Sequence, residues 1–117
     1  MNQNNKYSFS KDLLFISNVE LKVVLIAQKL KADITTILKR KGAIVGISGG
    51  IDSSVSLALA VKALGPEKVT GILLPEKDSS EESKILALKL ADQLGVQTIE
   101  ENITGALEGF GCYRRRD

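Results

Sequence analysis

Apolar residues recur along this chain at two different spacings, and the switches between them mark out its elements. Val23, Ile26, Ala27, Leu30, Ile34, Ile37 and Leu38 repeat at intervals of three and four. That is one face of a helix of about six turns. Ser17 and Glu20 form a capping-box pattern ahead of it. Lys39-Arg40-Lys41 before Gly42 suits the negative end of its dipole. Ala43 to Ile47 is then a short β-branched run that predicts a strand buried on both faces.

The alternation continues. Ser53 or Ser54 is placed to cap a second helix, lined by Leu57, Ala60, Val61 and Leu64 and stopped by Gly65-Pro66. Val69 to Leu74 reads as a second strand, closed by Pro75. Ser79 and Glu82 repeat the capping signature before Ile85, Leu88, Leu90, Ala91 and Leu94, with Gly95 as the stop. Val96 to Ile99 is a third strand, and Thr104 to Phe110 is a short helix or a loop. Helices that cross between short apolar strands predict an α/β fold, a parallel sheet of about three strands covered on both faces by flanking helices. Residues 1 to 16 lack periodicity and read as a flexible arm.

Composition changes this picture little. The 117 residues are 44% hydrophobic and 26% charged, with a net charge of +2. That balance gives no case for nucleic acid. Residues 1 to 42 carry eight Lys/Arg against three Asp/Glu, which a solvated helix face explains. The single cysteine, Cys112, excludes an internal disulfide, fits a reducing compartment and reads as a packing residue. No apolar run approaches a membrane span or a signal segment, so a cytoplasmic protein is expected.

The chemistry gathers where the first strand meets the second helix. Gly46-Ile47-Ser48-Gly49-Gly50-Ile51-Asp52-Ser53 ends an apolar run with a glycine turn, an acid and hydroxyls. A helix N-terminus leaves N–H groups unpaired and carries about half a positive charge, so an anion is stabilised there. Gly49 and Gly50 let phosphate oxygens approach the main chain, and Ser48, Ser53 and Ser54 add hydroxyls. The dipole supplies at most about 2 kcal/mol. Micromolar affinity needs roughly 8 kcal/mol, so several charge-assisted hydrogen bonds must converge. With no lysine from 42 to 61, this is not a Walker A loop. Asp52 beside phosphate is repulsive without a cation, and Mg²⁺ bridging the two removes the conflict.

These residues resemble the signature of the N-type ATP pyrophosphatases, the PP-loop enzymes with a Rossmann-like, adenine nucleotide alpha hydrolase-like fold. Two further stretches are similar to NAD synthetases within that family: Leu74-Pro75-Glu76-Lys77-Asp78-Ser79-Ser80-Glu81-Glu82-Ser83, and Gly111-Cys112-Tyr113-Arg114-Arg115-Arg116-Asp117. The resemblance covers about 19 to 117. It implies ATP binding by Gly46, Ile47, Ser48, Gly49, Gly50, Ile51, Asp52 and Ser53, with Mg²⁺ on Asp52. It implies adenylation of deamido-NAD by ATP, then attack by ammonia to give NAD, AMP and pyrophosphate. It also implies a homodimer. No nucleophilic side chain is needed. No catalytic residue is assigned.

Residues 17 to 117 are expected to form an incomplete PP-loop domain, the N-terminal part of such an enzyme, which does not make NAD alone. A three-stranded sheet leaves outer strands to be covered by partners or by more of a longer chain. The alternatives are another PP-loop enzyme, of GMP synthetase or tRNA-thiolating type, and a non-catalytic nucleotide-binding module. Thiolating enzymes usually add cysteines that this chain lacks.

Overall fold

A computed structural model describes residues 15 to 116. The expected arm falls almost wholly outside the described residues. The order is α1 (Val19–Ala32), a π-helical turn (Asp33–Ile37), β1 (Ala43–Gly46), α2 (Ile51–Leu64), a 3-10 turn (Pro66–Lys68), β2 (Val69–Leu73), α3 (Glu81–Leu94), β3 (Gln97–Glu100), α4 (Thr104–Gly109) and α5 (Cys112–Arg116). The three strands are parallel and lie in the order β1-β2-β3.

Strand order decides which faces are covered. Each crossover moves the chain one place in the same direction, so crossovers of one hand put α2 and α3 on the same side. They touch each other and the strands beneath them. Ala43, Val45, Val69 and Leu73 point into this layer, with Leu57, Ala60 and Leu64 of α2 and Ala87 and Ala91 of α3. Leu57 is fully buried, and truncating such a residue to alanine costs about 2–5 kcal/mol. Gly71 makes room at the centre. A Cβ there would stand 3.0 Å from Ile47 Cδ1, and Ile47 is the buried residue that carries β1 into the turn.

The opposite face is open among the described residues. Ile44 is 74% exposed and Ile99 is 51% exposed. The expectation of two covered faces is therefore corrected. The β-branched run at 43–47 marked a strand but not its burial, because an alternating pattern is hidden when both faces are apolar. β3 is exposed throughout.

Helix ends differ from expectation in a consistent way. α1 is capped by Asn18, whose Oδ1 accepts from Leu21 N at 3.3 Å, and not by Ser17. α3 is capped by Ser80, whose Oγ accepts from Ser83 N at 3.0 Å, and not by Ser79. Neither Ser53 nor Ser54 caps α2. Gly50 holds the cap position, and both serine hydroxyls donate back to its carbonyl, at 3.3 and 2.6 Å. α1 does not run to Gly42 either. Leu38 N donates to Asp33 O and Arg40 N to Ile34 O, and Lys39 then takes φ +52. This wide turn rotates the apolar stripe, so Ile37 and Leu38 end 69% and 61% exposed while Ile34 packs on the core. On α3, Ile85 and Leu88 lie outside the core, which takes Ala87 and Ala91. Cys112 is exposed, correcting its reading as a packing residue; Tyr113 beside it is buried. No described helix is long and apolar enough to cross a membrane.

Candidate nucleotide site

The carboxyl ends of β1, β2 and β3 open onto a cavity of about 490 Å³. Ligands of open α/β sheets bind beyond these strand ends. Gly46, Ile47 and Ser48 form one wall, Ile72 to Glu76 the floor and far side, and Ser79, Ser80, Ser83 and Lys84 the third side. Glu100 and Asn102 close the β3 end. Of the eight residues expected to bind ATP, three line the cavity. Gly49, Gly50, Ile51, Asp52 and Ser53 continue from it as the turn and first turn of α2.

That turn is tightly specified. Gly49 has φ +85, and a Cβ there would lie 2.5 Å from the Ser83 carbonyl oxygen. Only glycine satisfies both the torsion and the approach. The contact presses the β1–α2 turn against the first turn of α3, so the N-terminal ends of two helices meet at one cavity.

The hydroxyls are already engaged. Ser53 Oγ accepts from Ser48 N at 3.1 Å and lies 3.2 Å from Ser48 Oγ. Ser48 Oγ accepts from Gly50 N at 3.3 Å. They brace the turn. The backbone is where capacity remains, because α2 has no side-chain cap and its first N–H groups are the orphans that every helix start leaves. Asp52 sits exposed in this first turn.

At the other end, Lys84 Nζ and Glu100 Oε1 pair at 3.0 Å across the cavity. Hydrogen bonding to the Glu100 carboxylate, and its charge, hold the Lys84 ammonium above its ordinary range. This is the cavity's cation, and it lies on α3, well beyond the lysine-free stretch 42–61. Sequence reasoning missed Lys84, Glu100 and Asn102. The signal for the last two was their place just at the end of the third strand.

The arrangement offers an anion seat at the start of α2 and an apolar floor at Ile72, Leu73 and Pro75. That suits a phosphorylated molecule carrying a flat apolar group. Among the described residues no cluster of three or more His, Cys, Asp or Glu could hold a metal. Mg²⁺ asks less than that, since it often binds one or two carboxylates together with substrate phosphates. Asp52, exposed and within the first turn of α2 at the anion seat, fits that donor set.

Comparison with known proteins agrees with this geometry. The NAD synthase family model matches residues 23–114. The chain is similar to an NH(3)-dependent NAD(+) synthetase of Mesorhizobium japonicum, 45% identical over 78% of this chain and 28% of the relative. One from Rhizobium meliloti is 42% identical over 97% of this chain and 33% of the relative. The chain thus spans about a third of the length of these curated relatives. Among solved structures, a glutamine-dependent NAD+ synthetase from Acinetobacter baumannii in complex with ADP superposes with a TM-score of 0.64. It is 32% identical, covering 78% of this chain and 18% of that one.

Proposed function

The chain belongs to the NAD synthase family, and from that premise we propose that it is the ATP-binding portion of a ligase that makes NAD from deamido-NAD and ammonia. The observation that carries this reading is the bare N-terminus of α2. The starts of α1 and α3 are closed by Asn18 and Ser80, whereas α2 opens on Gly50 with no side-chain cap. A helix left uncapped beside a ligand-sized cavity is a seat for phosphate.

In this reading the N–H groups of Ile51, Asp52 and Ser53 hold the departing pyrophosphate. Ser48 and Ser53 hold the turn in shape. Gly46 and Ile47 support it from the strand end, and Gly49 and Gly50 keep side chains away from the oxygens. The adenine lies on Ile72 to Pro75. The carboxylate of deamido-NAD attacks the α-phosphorus, the bond to the β-phosphate breaks, and ammonia then displaces AMP from the acyl carbon. The loop acts by stabilising charge on the leaving group, which fixed donors do without reorganisation. Asp52 would hold Mg²⁺, which neutralises phosphate charge when bound.

A cytoplasmic location and a homodimer belong to the same proposal. Leu25, Ile26 and Leu30 of α1 line an apolar groove that a second copy would cover, which sedimentation tests. The site itself is tested by calorimetric titration with ADP and with pyrophosphate. Competing binding of both supports the reading, and absence of either titration signal defeats it. Pyrophosphate release from ATP in the presence of deamido-NAD and ammonia then separates a ligase from a non-catalytic binder.

A further inference from the structure

The far wall of the cavity is held from outside. Pro75, Glu76, Ser79 and Ser80 line it, and they belong to the loop between β2 and α3. This loop has its own turn. Ser79 N donates to Glu76 O at 2.9 Å, and Glu76 N donates to Ser79 Oγ at 2.9 Å. What fixes the turn in space comes from residues 103 to 116. Ile103 N donates to Pro75 O at 2.9 Å. Arg116 pairs with Asp78 at 2.7 Å. Lys77 Nζ stands 3.8 Å above the Tyr113 ring, and Arg116 is 5.3 Å from it.

Tyr113 is the centre of this set. It is buried on α5, and its hydroxyl donates to Glu76 Oε2. The other carboxylate oxygen, Oε1, accepts from Asp78 N at 2.9 Å. Glu76 is therefore gripped at both oxygens, by its own loop and by a residue 37 positions away. Tyr113 does not line the cavity. It reaches the cavity wall through Glu76, and its ring meets the same loop at Lys77.

We propose that Tyr113 is a positioning residue for nucleotide binding: its bond to Glu76 sets the β2–α3 loop as the wall against which the nucleoside end rests. This deepens the reading of the site as nucleotide-binding and rests on it. The phosphate end is built by a different turn, 46–53, so the two ends of the ligand report on different parts of the protein. Losing the Tyr113 hydroxyl loosens the nucleoside wall and leaves the phosphate seat alone.

The experiment compares ADP and inorganic pyrophosphate on the wild-type chain and on Tyr113→Phe, with thermal melting alongside. Phe keeps the ring, its burial and its contacts with Lys77 and Arg116. The expected result is about tenfold weaker ADP binding, on the order of one charge-assisted hydrogen bond, with pyrophosphate affinity held within about twofold. Glu76→Ala gives a second route. It removes both acceptor oxygens, so Tyr113 Oη loses its hold on the loop, ADP affinity falls at least as far, and adding Tyr113→Phe makes it no worse. Equal ADP binding by wild type and Tyr113→Phe overturns the inference. So does a parallel loss of ADP and pyrophosphate, which would make Tyr113 a general prop. Failure of the wild-type chain to bind either probe overturns the reading of the site, and the inference with it.

Discussion

Two helix starts face one cavity and are built in opposite ways. α3 begins at Ser80, which closes its own first turn through Ser83 N and Ser83 Oγ, at 3.0 and 2.8 Å. α2 begins at Gly50, offers no side chain to its first N–H groups, and turns its serines back on the Gly50 carbonyl. The capped start is complete in itself and contributes to stability. The uncapped start forgoes only roughly a few tenths of a kcal/mol, since glycine is itself a fair cap, and leaves its donors open to a ligand. The contact between Gly49 and Ser83 locks the two together, so the complete helix serves as the wall that shapes the incomplete one.

The comparison breaks most severely at Gly49. Gly49→Ala forces a Cβ into the Ser83 carbonyl at φ +85, and the strain should cost about 2–3 kcal/mol of stability. Chemical denaturation measures that loss, and ADP binding should vanish with it. An unperturbed melt would mean that the two helix starts are not in contact. Next comes Asp52→Asn. Removing this charge should weaken ADP binding about tenfold in the presence of Mg²⁺ and leave metal-free binding equal or stronger. Calorimetry with and without the metal tests this, and identical losses in both conditions would remove Asp52 from the metal's care.

Ser80→Ala sharpens the contrast from the other side. It should lower stability by about 1 kcal/mol and reduce ADP affinity less than Asp52→Asn does. An affinity loss as large as that of Asp52→Asn would show that the capped start is also a ligand seat. The smallest effect is expected at the Lys84–Glu100 pair. Lys84 is held above its ordinary 10.5 mainly by its hydrogen bond to Glu100. A raised ammonium stabilises the fold below 10.5 and loses that contribution as pH climbs through the folded value. Lys84→Met should therefore lower the melting temperature slightly near neutrality and flatten its fall on the alkaline limb, which a melting profile against pH measures.

The order of helices and strands was legible because the spacing of Leu57, Ala60 and Leu64 differs so plainly from the runs at 43–47 and 69–74. Caps were displaced by a residue or more, and for a physical reason. Ser17 and Asn18, or Ser79 and Ser80, are equally able acceptors, and only backbone torsion selects between neighbours. The π-helical turn at Asp33–Ile37 has no compositional mark, so Ile37 and Leu38 looked like core. The glycine turn of the site stood out because few local sequences join Gly-Gly, an acid and hydroxyls at the end of a strand. The grip of Tyr113 on Glu76 could not be read, since nothing in a linear pattern connects residues 37 apart.

Strand order has one more consequence, and it concerns time. Each strand pairs with the one made just after it. Ala43 meets Val69, and Thr70 meets Gln97, so each pairing spans 26 or 27 positions. A ribosome adds that much chain in roughly 1 to 5 s. No strand must wait for a distant partner, and each strand–helix–strand unit can close while the next is still being translated. The cavity should then take shape from its phosphate wall outward, with the Tyr113 anchor arriving last.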